Sequence, residues 1–539
     1  MKQKNYKVIV FIILVIGLLA RIHVTDFSRP IPDYSDGTVY HYAALNLQKY
    51  GILTYDRDGS MYRGETSVVP TSGLMPGMPL FLLALYCINS STAFIYIVQI
   101  LLSMIVLLLI LKIMQRLNIS NLIQLVVLAL AAVYPASCYN LDFVLTETCF
   151  TTCFTAFIYF FIRFIQAANN KILPPAIKDL VYANCLLMCA TMFRAQALPF
   201  VVVECFFLIV YFKEHIPMRN RLGYSLVVAG VVLLFMVPLW IRNWVTFGQF
   251  WLLTEAGESP KLWGAQPYFL NRSSTAHLSA DEMIRYNLSI TGNSYWIWRL
   301  FGFFNFMWYD MWDENLVHPF EVLKLFRMIH PLIIVPTVAM IPLLINRAKP
   351  ETLLVACVPI VFSLMCMPFH GLPRYVFPSI PCVFILLALL LDTLGLKISK
   401  KDCTNIEPFS WKWQIFIDRV FRFCYFTFGA IFSLILIYSV YFFDDNVRTE
   451  MSDYMLNHIY NVSISEVEQM DIVEDQELIT NTSCWWVDNA TYVDGIFKGE
   501  WDTYPLLNVS VPETENTTVT LPKTAEVYKL HADKLRATT

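Results

Sequence analysis

Apolar runs alternate with short polar turns from the amino terminus as far as residue 443, and beyond that point the chain turns polar. The runs fall at 8–20, 93–114, 122–138, 143–164, 181–193, 197–212, 224–241, 328–345, 353–369, 376–394 and 421–443. A helix needs ~20 apolar residues to cross a bilayer, so the pattern predicts an all-α polytopic membrane protein with a bundle of about 11 helices, several of them short. Arg194 and Pro199 mark a turn that divides 181–212 into two short spans rather than one. Lys2, Lys4 and Lys7 ahead of the first run also fit a secretory signal peptide. Arg21 follows at once and Leu18-x-Ala20 is a poor cleavage site, so a retained first helix is the favoured reading.

Charge placement sets the expected sidedness. Lys112/Arg116, Arg163/Lys171, Lys213/Arg219/Arg221, Arg347/Lys349 and Lys397/Lys400/Lys401 all share a side with the amino terminus, which the positive-inside rule makes cytoplasmic. Loops 23–91 and 242–327 and the carboxyl tail are then extracytoplasmic. The expected division is a transmembrane domain over 1–443 and, over 444–539, an outer tail or small domain with short β-type runs such as 517–521. Of nine N-x-S/T sequons only Asn118 faces the cytoplasm on this topology, and Asn89, Asn271, Asn287, Asn461, Asn481, Asn489, Asn508 and Asn516 lie outside. The aromatic run 296–312 reads as an interfacial helix beside the site, or as a plain anchoring belt at headgroup level.

Composition narrows the class. The 539 residues are 57% hydrophobic and 15% charged, outside the usual balance of a soluble domain, and the mean hydropathy is +0.53. A net charge of -3 without blocks of like charge gives nucleic acid no field to bind. Most of the thirteen cysteines lie inside apolar runs, without CxxC or Cys/His spacing, which points to buried thiols rather than zinc or a disulfide framework. Cys484 alone stands in the polar tail.

The chemistry-bearing residues gather at the expected outer surface. Asp33 and Asp36 follow the first helix and precede Tyr40, Ala44 and Leu47, whose spacing suits a helix lying along the bilayer surface. Either acid also fits a helix N-cap. Arg194, Arg242 and Arg374 each stand at the outer end of a span; a guanidinium fork suits phosphate, and interfacial snorkelling is the plainer alternative. Asp142 and Glu147 flank the outer turn between the third and fourth spans, with a capping role as Glu147's alternative. Glu204 falls inside a span, where it needs an internal partner that no sequence feature names. His23, His41, His277 and His370 are too scattered for a metal constellation.

Several of these stretches resemble the GT-C superfamily of lipid-linked-sugar glycosyltransferases, notably proteins similar to dolichyl-phosphate-mannose-protein mannosyltransferases and to aminoarabinose transferases. The matching elements are Asp36, Tyr40, Ala44, Asn46-Leu47 and Gly51, then Pro76-Gly77 and Pro79-Leu80-Phe81-Leu82. LTE ending at Glu147, PLWIRNWVTFG from Pro238 and RYVFPSIP from Arg374 follow in the family's order. The resemblance implies a GT-C-type bundle with interfacial helices in the first outer loop. It also implies transfer of a sugar from a polyprenyl-phosphate donor to a protein, lipid or glycan acceptor outside the membrane. Asp36 would then be the catalytic base of an inverting reaction. Asp33, Glu147 and Asp142 would be secondary or acceptor-side acids, and Arg374, Tyr375, Arg242 and Arg194 would hold the donor phosphate. No cofactor is required, and a divalent metal is compatible with the family. A transporter or flippase of lipid-linked sugars and a non-catalytic scaffold are the other readings; paired broken helices and internal repeats, the usual mark of a transporter, are not evident.

Overall fold

The computed structural model describes residues 3–31, 35–55, 69–169, 173–209, 217–254, 261–262, 264–265, 279–292, 294–308, 311, 321–345, 349–369, 371–398, 412–442, 491–493 and 496–498. Asp33, His370, Cys484 and all of the tail except 491–493 and 496–498 lie outside these residues. Two compact units are formed. The first comprises Met1–Ala256, Met307–Met365 and Pro373–Ile437, and the second Gly257–Phe306, Cys366–Leu372 and Tyr438–Thr539.

In the first unit α1 spans Gln3–Val24, α2 Asp36–Tyr50, α3 Gly77–Tyr86, α4 Thr92–Arg116, α5 Asn121–Ala132, α6 Ala136–Tyr139, α7 Glu147–Asn169 and α8 Leu173–Phe193. Among the described residues each apolar run predicted from sequence falls largely on helix. Among the described residues five helices are long and apolar enough to cross a membrane: Gln3–Val24, Thr92–Arg116, Glu147–Ala168, Met218–Phe247 and Pro373–Gly395. The pair Asn121–Ala132 and Ala136–Asp142, bent by 52° at Val133 to Pro135, is a broken span or a re-entrant loop. The protein is thus an integral, multi-pass membrane protein; predicted spans 181–193 and 421–443 fall on the long helices α8 and Lys412–Ile437, and 197–212, 328–345 and 353–369 include shorter apolar helices. Run 143–164 starts later than predicted, because Phe143 is extended and α7 begins at Glu147. Run 224–241 grows to thirty residues, α10 (Met218–Phe247), which carries Pro238 inside and stops at Gly248 in the left-handed region.

The local signals that start and stop the site's elements are ordinary ones. Ser35 caps α2 by accepting from the Thr38 amide at 3.3 Å, and Gly51 ends it at φ 69°, a conformation open to glycine at no steric cost. Along α7, Phe150, Phe154, Phe157, Phe161 and Phe164 recur at alternating spacings of four and three, which puts all five on one face. Phe200 of α9 (Phe200–Ile209) and Phe362 wedge against Phe154 at ring-centre distances of 4.7 and 5.2 Å. In a membrane such interlocking contacts, rather than a hydrophobic force, hold helices together.

Burial along the aromatic run is more extensive than its sequence indicates. In the second unit Trp298 and Phe303 of the run, and Tyr295 just before it, are buried, whereas Trp296, Ile297 and Leu300 are exposed. Arg299 fixes this segment by donating to the Gly264 carbonyl and, at 2.6 Å, to that of Met367. Asn287, one of the sequon asparagines, is fully buried and donates to the Ala265 carbonyl at 3.1 Å. The same unit holds an antiparallel pair of strands, Thr491–Val493 with Ile496–Lys498.

Candidate active site

Four separate parts of the first unit meet at one cluster of charge. The amino-terminal end of α2 supplies Asp36, the start of α7 supplies Glu147, and the turn after α8 supplies Arg194. Arg374 and Tyr375 come from the single helical turn Pro373–Val376 that leads into the last long apolar helix. Glu147 lies at the centre, fully buried. One of its oxygens, Oε1, accepts from both Arg194 Nη1 and Arg374 Nε. The same guanidinium also reaches Asp36, with Nη2 2.7 Å from Oδ2. Arg194 lies over the Tyr375 ring at 4.9 Å.

The cluster therefore runs from inside to outside, with Glu147 sealed off and Asp36 half-exposed. Two carboxylates and two guanidinium groups balance in charge, which a partly desolvated site requires. The Tyr40 phenol, one turn along α2 from Asp36, has its pKa raised above the ordinary value by burial and then by the Asp36 carboxylate. It therefore stays protonated beside the cluster. Tyr40 was legible only as a position in the motif; its place beside the charges comes from the one-turn spacing to Asp36.

The other candidates lie elsewhere in the unit. Asp142 pairs with Arg29 at 3.2 Å, and that guanidinium covers the Phe143 ring at 4.6 Å. Arg29 went unnoticed in the sequence because it stands alone in a polar loop. Arg242 donates to the carbonyls of Thr71 at 2.6 Å and Leu53 at 3.3 Å, pinning together the two ends of the loop that leaves α2. Glu204 is buried and takes a bond from Asn184 Nδ2 at 3.3 Å, the internal partner the sequence did not name. Among the described residues, no group of three or more His, Cys, Asp or Glu is arranged to hold a metal ion.

A multi-pass helical membrane protein with an acid–arginine cluster at its helix ends defines the class. No family model matches the chain, and no curated protein matches it. Solved structures do. The archaeal oligosaccharyltransferase AglB from Archaeoglobus fulgidus, in complex with an inhibitory peptide and a dolichol-phosphate, is 12% identical with a TM-score of 0.49, over 90% of this chain and 63% of its own. An Archaeoglobus fulgidus oligosaccharyltransferase tethered with an acceptor peptide containing the NVT sequon is 12% identical at a TM-score of 0.47, over 90% and 62%. ArnT from Cupriavidus metallidurans bound to undecaprenyl phosphate is 12% identical at 0.41, over 88% and 82%. The chain spans less than two thirds of the length of the archaeal proteins.

Proposed function

We propose that the protein is an integral-membrane glycosyltransferase of the GT-C type, moving a sugar from a polyprenyl-phosphate carrier to an acceptor at the extracytoplasmic face. The observation that carries this reading is the chain of contacts from Glu147 through Arg374 to Asp36. It sets an accessible carboxylate beside a guanidinium whose orientation is locked from behind. Residues 1–443 would hold the reaction, with 444–539 as an outer appendage.

In this mechanism the acceptor hydroxyl or amine attacks the anomeric carbon from the side opposite the phosphate, and Asp36 takes its proton as the new bond forms. The bond between that carbon and the phosphate oxygen breaks, and its electron pair leaves with the lipid phosphate. Phosphate departs without the general acid that a glycosidic oxygen needs, so one carboxylate suffices. Arg374 and Arg194 receive the phosphate charge. Because Arg374 Nη2 is bonded to Asp36, donor phosphate competes for that edge, and the exchange frees the Asp36 carboxylate for the acceptor's proton. A divalent cation held by both Asp36 and Glu147 would have to displace Arg374 from between them.

Asp36→Asn tests the proposal, since it preserves shape and bonding capacity and removes the basic oxygen. With full-length protein in lipid nanodiscs and a panel of undecaprenyl- and dolichyl-phosphate sugars, release of polyprenyl phosphate should fall by on the order of 10²- to 10⁴-fold, the usual general-base contribution. Donor binding should persist, and Asp33→Asn should be much milder. Wild-type turnover in Asp36→Asn sinks the mechanism.

A further inference from the structure

A second polar feature of the bundle takes no part in that reaction. A cavity of about 30 Å³ lies among the helices of the first unit, bordered by Arg21 of α1, Ser103 of α4, Ser137, Asn140, and Thr148 and Thr151 of α7. Arg21 is 1% exposed, so its charge is fully inside the protein. Its acceptors are all neutral: Nε donates to Ser103 Oγ at 2.9 Å, and Nη1 to the carbonyls of Gly17 at 2.9 Å and Ala132 at 2.7 Å. Ser103 Oγ in turn donates to the Ser137 carbonyl at 3.4 Å. Among the described residues no carboxylate pairs with Arg21, and its Nη2 has no acceptor. Thr151 Oγ1, buried on the wall of the same cavity, is also without a partner.

A guanidinium held at this depth in neutral surroundings is costly, and such groups normally have a counter-charge. The bonds to Gly17 and Ala132 explain part of its placement, because Ala132 ends α5 and its carbonyl lacks a helical partner. They leave the charge and two unsatisfied donors. Water would satisfy the donors without neutralising the charge. One water needs roughly 10–15 Å³, so the space is of the size of a halide or of two or three waters.

We propose that this cavity binds a small monovalent anion of the chloride type, held by Arg21 Nη2 and the Thr151 hydroxyl. The site stands on the cavity alone and does not depend on the transferase reading. The test uses purified full-length protein, with sodium chloride titrated against sodium gluconate at constant ionic strength. Two signals are followed, thermal unfolding and the ³⁵Cl NMR line width. Wild-type Tm should climb saturably with chloride but not gluconate, and the chloride line should broaden over protein-free buffer. Thr151→Val keeps the side-chain shape and should raise the half-saturating chloride concentration severalfold; Arg21→Gln should abolish the response. If Arg21→Gln fails to fold, the wild type and Thr151→Val decide the matter. Equal wild-type behaviour in chloride and gluconate would mean that water alone fills the cavity. A response undiminished in Thr151→Val would place the anion elsewhere; either result overturns the proposal.

Discussion

Glu147 is the residue on which the geometry of the cluster turns, although its sequence context recommends it less than that of Asp36. It touches neither solvent nor, on the proposed mechanism, substrate; it orients Arg374 and Arg194. Glu147→Gln keeps the volume and removes the charge facing two guanidinium groups. Losing one partner of a buried pair costs ~3–5 kcal/mol, and the remaining Arg374–Asp36 contact should hold the loss to about the lower figure. A drop in Tm together with weakened donor binding is expected; a Tm equal to wild type would show that the arginines are held by other contacts. Arg374→Lys is a separate probe. The ammonium keeps the charge but lacks the planar fork that bonds Glu147 and Asp36 through separate nitrogens. Loss of a charge-assisted bond worth about 1.5–3 kcal/mol should raise the donor Kd by roughly 10- to 150-fold. Donor affinity unchanged in both Arg374→Lys and Arg374→Ala would take this arginine out of the site.

At the scale of elements, the cluster depends on how closely α2, α3, α7 and α8 approach. Gly77 opens α3 against the end of α8, where an added Cβ would sit 2.4 Å from the Met192 carbonyl oxygen. The obstacle is backbone, so it cannot swing aside as a side chain would. Gly77→Ala should therefore destabilise by ~1–3 kcal/mol, as overpacking does. Met192 lies two residues before Arg194, so the displacement should also weaken donor binding. Gly223→Ala is the matched control, because nothing lies within 4 Å of its Cβ and alanine is the better helix former. Equal Tm in the two variants would mean that α3 and α8 do not pack as described.

At the scale of the whole molecule, the proposed chemistry requires that loop 23–91 face outward. Cys87, just past α3, is exposed, whereas Cys138, Cys149, Cys366 and Cys382 are buried. A membrane-impermeant thiol reagent applied to intact cells should label Cys87, and Cys87→Ser should lose that label; Cys484 offers a second reporter in the tail. If Cys87 reacts only after permeabilisation, the topology is inverted and an extracytoplasmic reaction is ruled out. The sequence alone determined the membrane class, the helical segments and the turn at Arg194, because apolar run length and charge placement are local properties that a bilayer reads directly. It also singled out Asp36, Glu147, Arg194 and Arg374, since each stands at a helix end. Only the tertiary structure decided that these four meet while Arg242 and Asp142 go to other partners. The contacts of Arg374 with Glu147 and Asp36 span hundreds of residues, and their geometry follows from how α2, α7 and the turn at Pro373 pack, which no local pattern encodes. The burial of Arg21, Asn287 and Trp298 was hidden for the same reason: a side chain's solvent is set by its neighbours in space, and an arginine after an apolar run reads identically whether it snorkels to the surface or points into a cavity.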